Sequence, residues 1–203
     1  MNSVSWIPNA VTLLRTLAGL VGAACLFVAP DTMLEEDALI LSAAAGLLLL
    51  IAALGDWLDG WLARALKAQS AFGALIDPIA DKIIVSAYLI AFIKVTGFDP
   101  WFTAPAVVII ARDLAVTGIR LSRLGRETTP LPVSAAAKWK TAVEMVVLAA
   151  PFLAVTLVYL TGLAPRLAYE AYYVWIGGVW FAALLSGSTF IGYMIAPQKN
   201  RAP

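Results

Sequence analysis

Apolar runs about as long as a bilayer is thick recur from one end of the chain to the other. Six can be drawn, over 8–30, 38–66, 72–95, 101–124, 134–161 and 169–195, each with the roughly 20 apolar residues that carry a helix across a bilayer. Helices are predicted because an open strand would leave its backbone N–H and C=O groups unsatisfied in lipid. The pattern therefore predicts an all-α integral membrane protein with six transmembrane helices. Neither an internal repeat nor a separate soluble segment interrupts it, so residues 1–203 read as a single membrane domain.

Composition agrees with the pattern and narrows the chemistry. The 203 residues are 62% hydrophobic and 13% charged, whereas a soluble domain carries roughly 45–50% apolar and about 25% charged residues. There is no histidine and one cysteine, Cys25. That excludes a Ser-His-Asp triad, a histidine metal ligand, a phosphohistidine intermediate, an intrachain disulfide and a zinc cluster. Acid–base work must fall to carboxylates, lysine or tyrosine. Cys25 follows Gly-Ala-Ala, as a lipidated cysteine would, but no basic segment precedes it and Arg15 interrupts the apolar stretch. It is expected to be a lipid-facing core residue. A net charge of +1 says little about partners, and no nucleic-acid partner is expected.

The distribution of charge says more. The first connection, "PDTMLEEDA", has four acidic residues and no basic one; the third carries Lys94 and the fifth Arg166. The other twelve of the fourteen basic residues lie at the opposite ends of the spans. The positive-inside rule then places both termini and the second and fourth connections in the cytoplasm. Trp6, Trp101 and Trp175 lie near proposed span ends, where interfacial aromatic anchors are common. Gly19, Gly22, Ala23, Gly177 and Gly178 permit close packing between helices.

One stretch breaks the apolar pattern: "GDWLDGWLARALKAQSAFGALIDPIADK", residues 55–82. Asp56 and Asp59 are three apart and Asp77 and Asp81 four apart, so each pair shares a helix face. A turn near "AQSAFG" would bring the two pairs together at the cytoplasmic surface, with Gly60 and Gly73 allowing close approach. Four like charges in a low dielectric repel, and a divalent cation removes that repulsion. Hard oxygen donors suit Mg²⁺ or Mn²⁺, and two such ions can clamp a phosphoryl transfer. The plainer alternatives are an N-cap at Asp77, which precedes Pro78, and ion pairs with Arg64 or Lys82.

The spacing Asp56-x2-Asp59-Gly60-x2-Ala63-Arg64-x8-Gly73-x3-Asp77-x3-Asp81 resembles, at all eight fixed positions, the signature of the CDP-alcohol phosphatidyltransferase family. The six-span layout resembles that family's bundle over nearly the whole chain. The resemblance implies that Asp56, Asp59, Asp77 and Asp81 bind two divalent cations, with Asp81 also the base. It implies that Gly60, Arg64 and Ser70 hold a CDP-linked lipid, with Asn9 and Thr12 near the nucleotide and Arg15 near the site. A glycine leaves room for a nucleotide, and an arginine grips phosphate bidentately.

The acceptor is read from the basic residues. Arg112 lies inside "VVIIARDLAVTGIRL", two turns before Arg120, with Asp113 a possible ion partner; Lys138 and Lys140 begin the fifth span. A cationic pocket beside a metal site suits an alcohol that already carries phosphate. The segments "IPNAVTLLRTLAG", "LIDPIADK", "ARDLAVTGIR" and "AAAKWKTAVEM" resemble the branch of the family whose acceptor is sn-glycerol 3-phosphate. Two positions depart from it: Asp113 stands where glutamate is usual, and Ala137 where glycine is. The expectation is a homodimer in the bacterial inner membrane, with a cytoplasmic site that uses CDP-diacylglycerol and glycerol 3-phosphate among the membrane lipids. Inositol phosphate, phosphatidylglycerol and serine are the rival acceptors, and serine brings no phosphate for the basic cluster. A carboxylate-relay ion transporter is the rival from another class, against which the one-sided clustering of acids and bases and the lack of an inverted repeat both weigh.

Overall fold

Each apolar run folds as one helix. The computed structural model describes residues 6–65, 71–123, 135–161 and 165–195. Among them are six long helices and no strand: α1 (Trp6–Val28), α2 (Glu35–Ala65), α3 (Ala71–Val95), α4 (Pro100–Arg123), α5 (Ala135–Thr161) and α6 (Pro165–Ile195). The ends differ from the hydropathy boundaries for local reasons. Helix α2 begins at Glu35 because Glu35, Glu36 and Asp37 fill its first turn, where negative charge complements the helix dipole. Helix α6 begins at Pro165, whose missing N–H is no loss at a first helical position. Helix α4 is capped by Asp99: its Oδ1 accepts from the Trp101 N–H at 3.0 Å, with Pro100 in the first turn. The turn before it passes through Gly97 at φ +63° and Phe98 at φ +61°, a conformation that a residue with a side chain rarely adopts.

Asp77 is not an N-cap. Helix α3 already runs from Ala71, and Pro78 sits inside it, so Asp77 projects from the helix body rather than from its start.

Among the described residues, five helices are long and apolar enough to cross a membrane by length and composition. Large apolar side chains face outward along them, among them Leu13, Leu17, Ile40, Leu47, Leu114 and Leu184, which is how a helix presents itself to lipid tails rather than to water. The chain is a multi-pass membrane protein. Helix α3, 25 residues long, is strongly apolar too, but it carries Asp77, Asp81, Lys82 and Lys94 along its length. It meets α1, α4 and α5, and it contributes Ala80, Ile84, Val85, Tyr88, Leu89, Ala91 and Phe92 to the core. On its other side Ile83, Ile90 and Val95 face outward.

The bundle has an aromatic half and a polar half. In the first, Phe102 stacks on Trp175 at 4.7 Å between ring centroids, Phe92 meets both, and the Trp175 indole N–H donates to the Val147 carbonyl at 2.8 Å. Trp175 is therefore a packing residue joining α6 to α3, α4 and α5, whereas Trp101 is exposed at the start of α4. Cys25 is half-buried and packs against the core. Helix α1 lies close to α2 and α3 because of its glycines. A Cβ on Gly22 would stand 2.1 Å from the Tyr88 hydroxyl and 2.9 Å from Leu48, and one on Gly19 would stand 2.8 Å from Ile84. Tyr88 cannot easily give way, since its hydroxyl donates to the Ala45 carbonyl at 2.7 Å inside the core. Gly22→Ala is expected to destabilise the bundle by about 1–3 kcal/mol, the usual cost of overpacking, read as an earlier unfolding midpoint in detergent. An unchanged midpoint would mean that α1 sits further from α3 than described.

Candidate active site

All six helices bring polar residues to the same end of the bundle. From α1 come Thr12 and Arg15, one turn apart and both buried within an apolar helix. From α2 and α3 come Asp56, Asp77, Asp81 and Lys82; from α4, Arg112 and Asp113; from α5, Lys140 and Glu144; from α6, Ser186 and Thr189.

Helix α1 organises the carboxylates. The Arg15 guanidinium pairs with Asp56 at 3.1 Å, and the Thr12 hydroxyl donates to Asp77 Oδ1 at 3.0 Å. Gly55 makes the first contact possible, since a Cβ there would stand 2.9 Å from the Arg15 stem. Asp81 lies within electrostatic reach of Lys82, Asp56, Arg15 and Asp113. The expectation that Thr12 and Arg15 lie at the site thus has a specific form: each holds one aspartate by its side chain.

Across from the carboxylates lies a buried ionic network. Asp113, whose side chain is 1% exposed, receives Lys140 at 2.6 Å, Arg112 at 2.9 Å and Lys82 at 3.0 Å. Glu144 pairs with Lys140 at 2.9 Å, one turn away on α5, and with Lys82 at 3.8 Å. The other end of Arg112 donates to Thr189 Oγ1 on α6 at 3.0 Å. Lys82 also reaches Asp81 at 3.9 Å, which joins the two halves of the site. The expected Arg112–Asp113 pairing is present, but Asp113 proves to be a hub for three cations drawn from three helices. Lys140, expected to face an acceptor, is 2% exposed and held by two carboxylates.

Of the other expected site residues, Ser70 lies outside the described residues. Asn9, Asp59, Gly60, Arg64, Arg120 and Lys138 are placed on their helices by the backbone, and their side chains and surroundings lie outside the described set. Two residues were missed in the sequence. Glu144 had a signal, a carboxylate four residues after Lys140 within an apolar span. Thr189 had none, because a threonine in an apolar helix is ordinary.

The donor set suits hard divalent cations. Among the described residues no three carboxylates close into a ready-made cage; Asp56 and Asp77 are instead turned to Arg15 and Thr12. Asp56, Asp77 and Asp81 nonetheless come from α2 and α3, both packed on α1, and Asp56 remains open to solvent. These residues fit such ions.

The model of the family described as CDP-alcohol phosphatidyltransferase matches residues 5–184. Over 171 residues the chain is 38% identical to a CDP-diacylglycerol–glycerol-3-phosphate 3-phosphatidyltransferase of Cereibacter sphaeroides, covering 83% of this chain and 74% of that one. It is 37% identical over 144 residues to the enzyme of that name from Pseudomonas fluorescens, covering 70% of this chain and 69% of that one. It is 40% identical over 110 residues to that of Escherichia coli K12, covering 52% and 58% respectively. Against several such relatives, then, the matched stretch spans about half of the relative's length. The chain belongs to the CDP-alcohol phosphatidyltransferase family. It is an enzyme, a CDP-diacylglycerol-dependent phosphatidyltransferase of the membrane.

Proposed function

We propose that the protein transfers the phosphatidyl group of CDP-diacylglycerol to sn-glycerol 3-phosphate, giving phosphatidylglycerophosphate and CMP. The observation that carries the acceptor is the cationic network: Arg112 and Lys140 stand behind Asp81, joined to it through Lys82. A buried cluster of this kind suits a small acceptor that arrives with a phosphate. The chain resembles glycerol-3-phosphate transferases over most of its length, which supports the same choice.

Each residue has a task. Asp81 takes the proton of the primary hydroxyl of glycerol 3-phosphate as its oxygen attacks the β-phosphorus; the bond to the CMP oxygen breaks and CMP leaves. Asp56, Asp59, Asp77 and Asp81 would hold two divalent cations, Mg²⁺ or Mn²⁺, which when bound would polarise the diphosphate and offset its charge. Thr12 and Arg15 fix Asp77 and Asp56 in place. Asn9, Thr12, Gly60, Arg64 and Ser70 bind the nucleotide and diphosphate of the lipid. Arg112, Arg120, Lys138 and Lys140 form the cationic wall toward the acceptor's phosphate. Residues 1–203 act as one membrane domain, in a homodimer in the bacterial inner membrane with the site and both termini cytoplasmic, as the basic residues at this end require.

The test is an acceptor panel. Purified protein, CDP-diacylglycerol and Mg²⁺ are mixed in turn with glycerol 3-phosphate, inositol phosphate, phosphatidylglycerol or serine, and CMP is measured. Release with glycerol 3-phosphate well above the others is expected, and Arg112→Ala should raise its KM about tenfold or more, since a charge-assisted contact contributes roughly 1.5–3 kcal/mol. Preference for another acceptor overturns the assignment; an unchanged KM removes Arg112 from the pocket.

A further inference from the structure

Lys82 follows Asp81 directly, and its ammonium contacts carboxylates on three helices: Asp81 on α3 at 3.9 Å, Asp113 on α4 at 3.0 Å and Glu144 on α5 at 3.8 Å. Among the described residues it is the side chain that touches both the metal-type carboxylates and the cationic network. The charges around it are matched. Lys82, Arg112 and Lys140 are positive; Asp81, Asp113 and Glu144 are negative. Asp113, Glu144 and Lys140 are at most 2% exposed and Lys82 is 21% exposed, so solvent screens the group little. In such a setting a change of charge at one member is felt by the others.

We propose that Lys82 is a positioning residue that couples divalent-cation binding to binding of the acceptor's phosphate. The inference rests on the acceptor reading given above. A cation bound at Asp81 withdraws that carboxylate's charge from Lys82. The cluster is then left with one uncompensated positive charge, on the side chain that adjoins Asp113 and, through it, Arg112. A phosphate monoester is the anion that restores the balance. Linkage requires the reverse as well: glycerol 3-phosphate must tighten the divalent cation by the same factor by which the cation tightens glycerol 3-phosphate. The enzyme would then hold its acceptor well only after its cations are in place, which orders the site before the hydroxyl is activated. A mere space-filling or stabilising role for Lys82 predicts no such reciprocity.

The test is Mn²⁺ binding to the full chain in lipid nanodiscs without CDP-diacylglycerol. Free Mn²⁺ is read by electron paramagnetic resonance, with and without glycerol 3-phosphate, and the ligand's own Mn²⁺ binding is measured in buffer and subtracted. In the wild type, glycerol 3-phosphate is expected to lower the Mn²⁺ Kd about fivefold or more, the lower end of typical coupling. Lys82→Met should bring the ratio below about twofold, and Lys82→Arg, which keeps the charge, should retain most of it. Should Lys82→Met fail to fold, Lys82→Gln takes its place. An unresponsive wild type, or a Lys82→Met ratio equal to the wild type's, overturns the proposal; weaker Mn²⁺ binding at an unchanged ratio counts the same way, as a structural effect. The acceptor panel separates the two readings. If glycerol 3-phosphate supports no CMP release, the acceptor assignment falls and this inference with it. If it does support release but leaves Mn²⁺ affinity untouched, this inference alone falls.

Discussion

Asp81→Asn is expected to lower the rate of CMP release from CDP-diacylglycerol and glycerol 3-phosphate by about 10²–10⁴-fold, the range a positioned general base contributes. The substitution keeps size and shape but removes the site's means of accepting a proton. It also weakens one oxygen donor to the cations, which pushes the loss toward the upper figure. The fold should survive. Asp81 is 14% exposed and its ion contact with Lys82, at 3.9 Å, is long, while Lys82 keeps Asp113 and Glu144 as partners. The variant should therefore unfold close to the wild-type midpoint and still retain CDP-diacylglycerol in a lipid-binding assay. Near-normal CMP release would remove Asp81 as the base. Loss of lipid binding together with activity would make it an organiser of the metal site instead.

The largest effect on stability is expected at Asp113. Asp113→Asn preserves volume but leaves Lys82, Arg112 and Lys140 facing each other with Glu144 as the remaining carboxylate of the network. Removing one partner of a buried ion pair costs about 3–5 kcal/mol, because the other charge is left uncompensated in a low dielectric. The unfolding midpoint of Asp113→Asn in a denaturing-detergent titration should fall accordingly. Adding Lys140→Met should recover part of the loss, since the double variant no longer buries that unpaired ammonium. A single variant as stable as the wild type would mean that water reaches the network. A double variant no better than the single one would mean that Asp113 and Lys140 act independently.

The helices were readable from the sequence because lipid admits few alternatives: a long apolar run must satisfy its own backbone. The carboxylates were readable because an aspartate in such a run demands a reason. What could not be read depends on which faces meet. Trp175 has the sequence position of an interfacial anchor, yet it packs between helices, where it stacks on Phe102. Asp77 looked like a cap because Pro78 follows it, but a helix held on several sides tolerates an internal proline, as α4 and α5 also do at Pro105 and Pro151. The basic residues of α4 and α5 were legible as a cluster. That Asp113 would gather Lys82, Arg112 and Lys140 was not, because the contact needs three helices turned to one another. The 2.6–3.0 Å contacts show what Asp113 does here: it draws three cations onto one carboxylate.

The hydrogen bond from Arg112 to Thr189 bears on how the enzyme comes into being. Thr189 lies near the far end of α6, the last of the six described helices in chain order, whereas Arg15, Asp56 and Asp81 belong to the first three. A nascent chain can gather its aspartates while half of the bundle is still unmade, but Arg112 then has no Thr189 to steady it. Helix α6 is thus made after the helices that carry these aspartates, and Arg112 gains Thr189 only once α6 has been inserted.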